Sequence, residues 1–165
     1  MYKKYTVLFV DDEVNILRTL CRIFADENYE LLTAENAMEA TKILEQKVVD
    51  LIISDQRMPG MSGLDFFEKT LPEYPNIIRI ILTGQADLEM AIEAINKGCV
   101  YKFILKPWNN HDLLFTVKRA LEQYDLIQEN NSLTNELKKR DAILQQLEKQ
   151  HPGITRMPDG PYRIS

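Results

Sequence analysis

Side chains capable of chemistry follow four separate apolar segments of this sequence. They are Asp11 and Asp12, then Asp55, Thr83 and Lys106. Each segment is typical of a β-strand, and the carboxyl ends of parallel strands share the edge of a sheet where open α/β folds bind ligands. A single acid after a strand is usually a helix cap or a solvated turn. Four such positions at one edge favour a functional site.

Three carboxylates gathered at that edge would repel one another. At ~4 Å and an effective dielectric constant near 20, each pair costs about 4 kcal/mol, so a proton or a cation must relieve the repulsion. Hard oxygen ligands at a partly wet edge suit Mg²⁺. The sequence has no His/Cys cluster for zinc. The acids therefore indicate a magnesium site.

An aspartate beside a divalent cation, with a hydroxyl and an ammonium group nearby, has the layout for nucleophilic attack on phosphorus. A carboxylate is a known nucleophile that forms an aspartyl phosphate. Thr83 and Lys106 can then hold the phosphoryl oxygens while the cation offsets the developing charge. These residues predict phosphoryl-transfer chemistry.

Strand and helix patterns alternate along the chain and would position these residues. Apolar runs predict strands at 5–10, 29–33, 51–53, 77–83 and 101–105. Helical spacing follows each of them, with Asn36 as a cap and Gly98 as a stop. Strict alternation with short connections predicts a parallel sheet with right-handed crossovers and helices on both faces.

Size and composition are consistent with one globular domain and a modest extension. The chain has 165 residues, 45% of them hydrophobic and 27% charged, and its net charge is −5. An acidic balance argues against binding to nucleic acid or to an anionic membrane. No apolar run approaches the ~18 residues of a membrane span, and no signal peptide is evident, so we expect a cytoplasmic protein. Cys21 and Cys99 have no metal-binding spacing and are predicted to be buried hydrophobes.

The four strand-end motifs resemble those of the receiver domain of two-component response regulators, over residues 5 to about 122. This resemblance implies a flavodoxin-like (βα)5 fold with strand order 2-1-3-4-5. It also implies that the protein accepts a phosphoryl group from a sensor histidine kinase or phosphotransfer protein, as a signalling domain and not a conventional enzyme. The motifs are Asp11-Asp12-Glu13, Asp55 with Met58-Pro59 and Gly63, Thr83-Gly84 and Lys106-Pro107.

The resemblance assigns a role to each site residue. Asp55 would be the phosphoacceptor, and Mg²⁺ would bind directly to Asp12, Asp55 and the backbone carbonyl of Arg57, and through water to Asp11. Thr83 and Lys106 would contact the phosphoryl group. Phe103 matches the aromatic residue whose rotamer couples to phosphorylation together with Thr83, with Tyr101 as the other aromatic nearby. The Lys106–Pro107 peptide is expected to be cis.

Arg57 and Gln85 occupy positions near the site that vary widely in this family. One hypothesis is that the Arg57 side chain reaches over the phosphate and alters dephosphorylation. The alternative is a solvated arginine at a loop tip.

Three other readings compete with the signalling role. A phosphohydrolase of the haloacid-dehalogenase type would also form an aspartyl phosphate, but its nucleophile would follow the first strand. A scaffold that has lost phosphotransfer would not need the intact acids, Thr83 and Lys106. Dinucleotide binding would require glycines where the first turn has acids.

Residues 123–150 continue the last helical pattern without Gly or Pro. Their apolar residues follow a 3-4 spacing over ~4 heptads, which is typical of a coiled coil, although Arg140 interrupts one core position. Asn130 at an a position favours a parallel homodimer in fixed register. A single solvated helix, or one packed on another partner, is the alternative. The predicted dimer seam is Leu126, Asn130, Leu133, Leu137, Leu144 and Leu147.

The sequence predicts three parts: a receiver domain at 1–122, the helical extension at 123–150, and a flexible tail at 151–165. His151, in the tail, is expected to be solvated, and His111 to lie at a helix start. The chain shows no effector domain. It could therefore be complete or could be the receiver part of a larger regulator.

Overall fold

In a computed structural model that describes residues 4–152, the strands form one five-stranded parallel sheet. The strand order is β2-β1-β3-β4-β5, which confirms the predicted flavodoxin-like topology. The strands are β1 (Tyr5–Val10), β2 (Tyr29–Ala34), β3 (Leu51–Asp55), β4 (Ile78–Thr83) and β5 (Lys102–Leu105).

Five helices connect and follow the strands. The predicted cap at Asn36 is confirmed, because its side chain accepts a hydrogen bond from the Glu39 backbone N–H. Gly98 ends the fourth helix with a φ of 81°, a conformation that glycine adopts at little cost. The helices are α1 (Val14–Ile23), α2 (Ala37–Gln46), α3 (Gly63–Thr70), α4 (Leu88–Asn96) and α5 (Asn110–Gln150).

Hydrophobic clusters cover both faces of the sheet. Because side chains alternate along a strand, Val7 and Phe9 pack in one cluster while Leu8 and Val10 pack in the other. Every residue of β3 is buried, as expected for a central parallel strand. The strand that carries Asp55 is therefore held from both sides.

The sequence predicted the strands better than it predicted which polar side chains are buried. Arg79, the second residue of β4, is only 2% exposed. Its guanidinium donates to the carbonyl oxygens of Ile77 and Tyr74 and to the Thr70 hydroxyl, which ties the α3–β4 connection to the sheet. Burial lowers the pKa of Arg79 to about 10.

Both cysteines differ from the sequence prediction of full burial. Cys21 and Cys99 are half-buried, each packed on the margin of one hydrophobic cluster. Cys21 lies in α1, and Cys99 lies in the connection between α4 and β5.

The last helix is unbroken from Asn110 to Gln150, 41 residues. The chain divides into two units between Tyr124 and Asp125, two residues beyond the boundary predicted from the sequence. Most of the predicted tail, residues 153–165, lies outside the described part of the chain. Within residues 4–152, no helix is both long and apolar enough to cross a membrane.

Candidate phosphoacceptor site

Asp55 is the last residue of β3, and its carboxylate faces the amine of Lys106. Lys106 Nζ donates to Asp55 Oδ1 at 2.6 Å. The Asp55 side chain is 10% exposed and that of Lys106 is 32% exposed, so this ion pair is only partly screened by solvent. The Asp55 carboxylate is therefore nearly buried and lies beside a cation.

Two more carboxylates lie beside Asp55. One oxygen from each of Asp11, Asp12 and Asp55 falls within 4.8 Å of the others. Asp11 is 1% exposed; its Oδ1 accepts from the Glu13 N–H at 2.8 Å, whereas its Oδ2 has no hydrogen-bond partner within residues 4–152. Burial, aided by the nearby Asp55 and Asp12 charges, raises the pKa of Asp11 to about 6.

This acidic cluster fits a hard cation. An unpartnered buried carboxylate oxygen is costly, and a neighbouring positive charge would remove that cost. Three carboxylates with one ammonium group leave a net negative site, and oxygen donors of this kind are those that Mg²⁺ prefers.

Thr83 ends β4 at the same edge of the sheet. The backbone N–H of Gln56 donates to the Leu82 carbonyl oxygen, and that of Lys106 donates to the Thr83 carbonyl oxygen. These bonds place Thr83 between the strand ends that carry Asp55 and Lys106. Its hydroxyl is directed to the carbonyl oxygen of Gly84 at 3.2 Å.

The connection after Asp55 is fixed by close packing at Gly63. The Gly63 N–H donates to the Gln56 carbonyl oxygen, and the Leu64 N–H donates to Gln56 Oε1. A Cβ at position 63 would collide with the backbone oxygen of Asp55 and would lie 2.6 Å from Ile81 Cδ1. Only glycine lets α3 start this close to the strand that carries Asp55.

The Arg57 side chain pairs with Asp87, and the hypothesis that it reaches over a phosphoryl group on Asp55 stays a prediction. Arg57 Nε donates to Asp87 Oδ2 at 2.8 Å, and Nη2 lies 3.4 Å from Oδ1. This pairing lowers the pKa of Asp87 and raises that of Arg57. Sequence reasoning missed Asp87, because no sequence signal reveals which side chain a loop arginine will meet.

The Lys106–Pro107 peptide is cis, as predicted. Phe103 is half-buried against the cluster that contains Ile81, and Tyr101 is 39% exposed. Trp108 follows Pro107, is half-buried, and donates through Nε1 to Asn110 Oδ1 at 3.2 Å.

The predicted seam residues are exposed on α5. Leu126, Leu133 and Leu137 are 64%, 53% and 57% exposed, and Asn130 is exposed as well. Leu144 and Leu147 are 47% and 36% exposed. An apolar stripe of this length remains open to solvent in the single chain.

Comparison with known proteins assigns the family. The profile of the response regulator receiver domain matches residues 7–118. The chain is 37% identical to the hydrogenase transcriptional regulatory protein HoxA of Cupriavidus necator over 148 residues, covering 90% of this chain and 30% of HoxA. It is 38% identical to a putative NtrX-like response regulator of Rickettsia bellii over 133 residues, covering 79% of this chain and 28% of that protein.

A solved receiver domain has the same fold. The crystal structure of a response regulator receiver domain protein from Clostridium thermocellum aligns with a TM-score of 0.70 at 30% identity, covering 74% of this chain and 98% of that one. The chain belongs to the response regulator receiver domain family. It spans about 30% of the length of the curated relatives named above.

Proposed function

We propose that the protein receives a phosphoryl group on Asp55 in a Mg²⁺-dependent reaction and relays this signal by a conformational change. The observation that carries the proposal is the convergence of the Asp55 carboxylate, the Lys106 amine and the oxygens of Asp11 and Asp12 at one sheet edge. The donor would be a sensor histidine kinase or a phosphotransfer protein, the partners expected of this family.

In the proposed reaction, an oxygen of Asp55 forms a bond to the phosphorus atom of the donor. The bond from that phosphorus to its leaving group breaks, and the leaving group keeps the electron pair. Lys106 and Thr83 would hold the phosphoryl oxygens as negative charge develops. For this, the Thr83 hydroxyl must turn from its bond with Gly84, which a single side-chain rotation could achieve.

Mg²⁺ would be held by Asp12, Asp55 and the Arg57 backbone carbonyl, with Asp11 acting through water. When bound, the ion supplies positive charge against the phosphoryl oxygens and removes the carboxylate repulsion. The unpartnered Oδ2 and the raised pKa of Asp11 support a cation at this point. Phe103, packed beside β4, is the proposed aromatic switch that would follow Thr83.

Intact mass after incubation with acetyl phosphate and Mg²⁺ tests the proposal. We expect one phosphoryl adduct on the wild-type protein, none on Asp55→Asn, and none when EDTA removes the metal. Steady release of product from a phosphoester would favour the phosphohydrolase, and the absence of any adduct on a folded protein would favour a scaffold.

We further propose that the protein forms a homodimer through α5 and that this helix transmits the signal. The exposed stripe from Leu126 to Leu147 matches a coiled-coil seam, and burying it against a second copy would remove apolar surface from water. Because the relatives are named as transcriptional regulators and are longer, we propose that this chain serves as the receiver part of such a regulator. The acidic net charge makes direct DNA binding by these residues unfavourable.

A further inference from the structure

The Arg57–Asp87 ion pair joins the two connections that leave the candidate site. Arg57 follows Asp55 by two residues on the β3–α3 connection. Asp87 follows Thr83 by four residues and ends a 3₁₀ turn, Gln85–Asp87, just before α4. The pair therefore links the segment that carries the phosphoacceptor to the segment that carries the hydroxyl.

The Arg57 and Asp87 side chains contact each other at two points. Two guanidinium nitrogens of Arg57 face both oxygens of Asp87, at 2.8 Å and 3.4 Å. Asp87 stands at the N-terminal cap position of α4, yet its side chain makes no capping hydrogen bond. An aspartate at that position normally caps its helix, so the Arg57 contact replaces the cap.

Among the described residues, those that line the surface cavity beside the ion pair offer Arg57 no other charged partner. A surface cavity next to the ion pair is lined by Gln56, Met58, Pro59, Ser62 and Met90, which are all uncharged. Along the chain, Asp55 lies two residues before Arg57. Arg57 is 75% exposed, so its side chain can move without losing packing, whereas the Asp87 side chain is 15% exposed.

A phosphoryl group on Asp55 would compete for this guanidinium. It adds up to two negative charges and three acceptor oxygens, and the planar guanidinium matches phosphoryl oxygens in two-point contacts. Asp87 offers only one charge, but its two oxygens already contact two guanidinium nitrogens, so the two acidic groups would share the guanidinium.

We propose that Asp87 is a positioning residue that holds the Arg57 guanidinium away from the phosphoryl group on Asp55 and so keeps that group open to attacking water. The inference rests on the proposed function. In the hydrolysis it concerns, a water oxygen forms a bond to phosphorus and the phosphorus–Asp55 oxygen bond breaks. Inorganic phosphate leaves, Asp55 regains its carboxylate, and the proton lost by water passes to phosphate or solvent.

The test is the half-life of the phosphorylated protein in variants at both positions. Asp87→Asn weakens the hold on Arg57 while keeping a residue that caps helices well. The freed guanidinium should cover the phosphoryl oxygens and lengthen the half-life about two- to fivefold, as expected from the strength of an exposed pair. Asp87→Glu restores a carboxylate and should return the half-life towards that of the wild type.

Arg57→Ala shows whether the effect passes through the arginine. In an Arg57→Ala background, adding Asp87→Asn should leave the half-life unchanged. The matched control is Glu89→Gln, which removes the same charge from an exposed residue in the first turn of α4. It should leave the half-life at the wild-type value.

Two results would overturn the inference: an unchanged half-life in Asp87→Asn, or the same lengthening with and without Arg57. Both presuppose an adduct on the wild-type protein, formed with acetyl phosphate and Mg²⁺ and detected by intact mass. If the wild type forms no adduct, the proposed function fails first, and this inference fails with it.

Discussion

Asp11 illustrates how a site residue can oppose the stability of its own fold. Its carboxylate is buried, one oxygen lacks a partner within the described residues, and its pKa rises to about 6 from an ordinary value of 3.8. A group whose pKa is raised by folding stabilises the protein below the unfolded pKa and loses that contribution as the pH rises through the folded one. The metal-free protein should therefore lose stability between about pH 4 and 6 through this residue.

Asp11→Asn removes the buried charge and should stabilise the metal-free protein at pH 7.5 by about 1–3 kcal/mol, since one pKa unit corresponds to about 1.4 kcal/mol. Urea unfolding in EDTA at pH 7.5 and pH 4 measures this difference, which should shrink at the lower pH. Adding Mg²⁺ should stabilise the wild type more than the variant. A variant that is less stable than the wild type at both pH values without metal would contradict the argument.

Gly63 permits the close approach between α3 and the end of β3. Gly63→Ala would force a methyl group against the Asp55 backbone oxygen and the Ile81 side chain, and we expect a loss of about 1–3 kcal/mol or more. Gly84→Ala is the matched control, because a Cβ there meets no atom within 4 Å. Chemical denaturation of both variants should show a clear loss for position 63 and a small change for position 84. Equal effects would contradict the packing argument.

At the scale of the elements, the buried Arg79 side chain of β4 anchors the loop that precedes this strand. The Arg79 guanidinium holds the carbonyl oxygens of Tyr74 and Ile77. Arg79→Ala would open a cavity and leave these acceptors without their donor, so we expect about 2–4 kcal/mol of destabilisation. Urea unfolding measures this loss of stability. The control is Arg18→Ala, a truncation at an exposed arginine of α1. If both truncations change stability by less than about 0.5 kcal/mol, the anchor has no energetic role.

The elements were largely predictable because their patterns are local. Apolar runs located all five strands and the cap at Asn36 located the start of α2, and errors at strand ends were one or two residues. Asp55, predicted at the carboxyl end of its strand, is the last residue of β3.

Side-chain partners were less predictable, because they depend on which loops meet in the folded chain. The Arg57–Asp87 pair joins residues 30 positions apart, and neither belongs to a strand motif. The burial of Arg79 had a signal, namely a charged residue between isoleucines in a strand expected to be covered on both faces. The grouping of Asp11, Asp12, Asp55 and Lys106 followed from topology, because parallel strands bring their carboxyl ends together.

At the scale of the whole molecule, the proposed dimer seam predicts how substitutions in α5 change self-association. Arg140 occupies a d position between Leu137 and Leu144, where a homodimer would bring two like charges together. Arg140→Leu should tighten self-association at least tenfold, whereas Leu137→Lys should weaken it. Equilibrium sedimentation of the unphosphorylated protein measures both. Variants that all sediment as monomers at high concentration would exclude the homodimer and favour a solvated helix.

The chain has one tryptophan, Trp108, and it lies two residues beyond Lys106, directly after Pro107. Its indole is half-buried and tethered to Asn110, so its emission should respond when the neighbouring lysine gains or loses a charged partner. The protein thus contains an intrinsic optical probe two residues from Lys106 of the candidate site. Titrating Mg²⁺ or a phosphodonor while recording fluorescence would report occupancy without a label, and Trp108→Phe should abolish the signal.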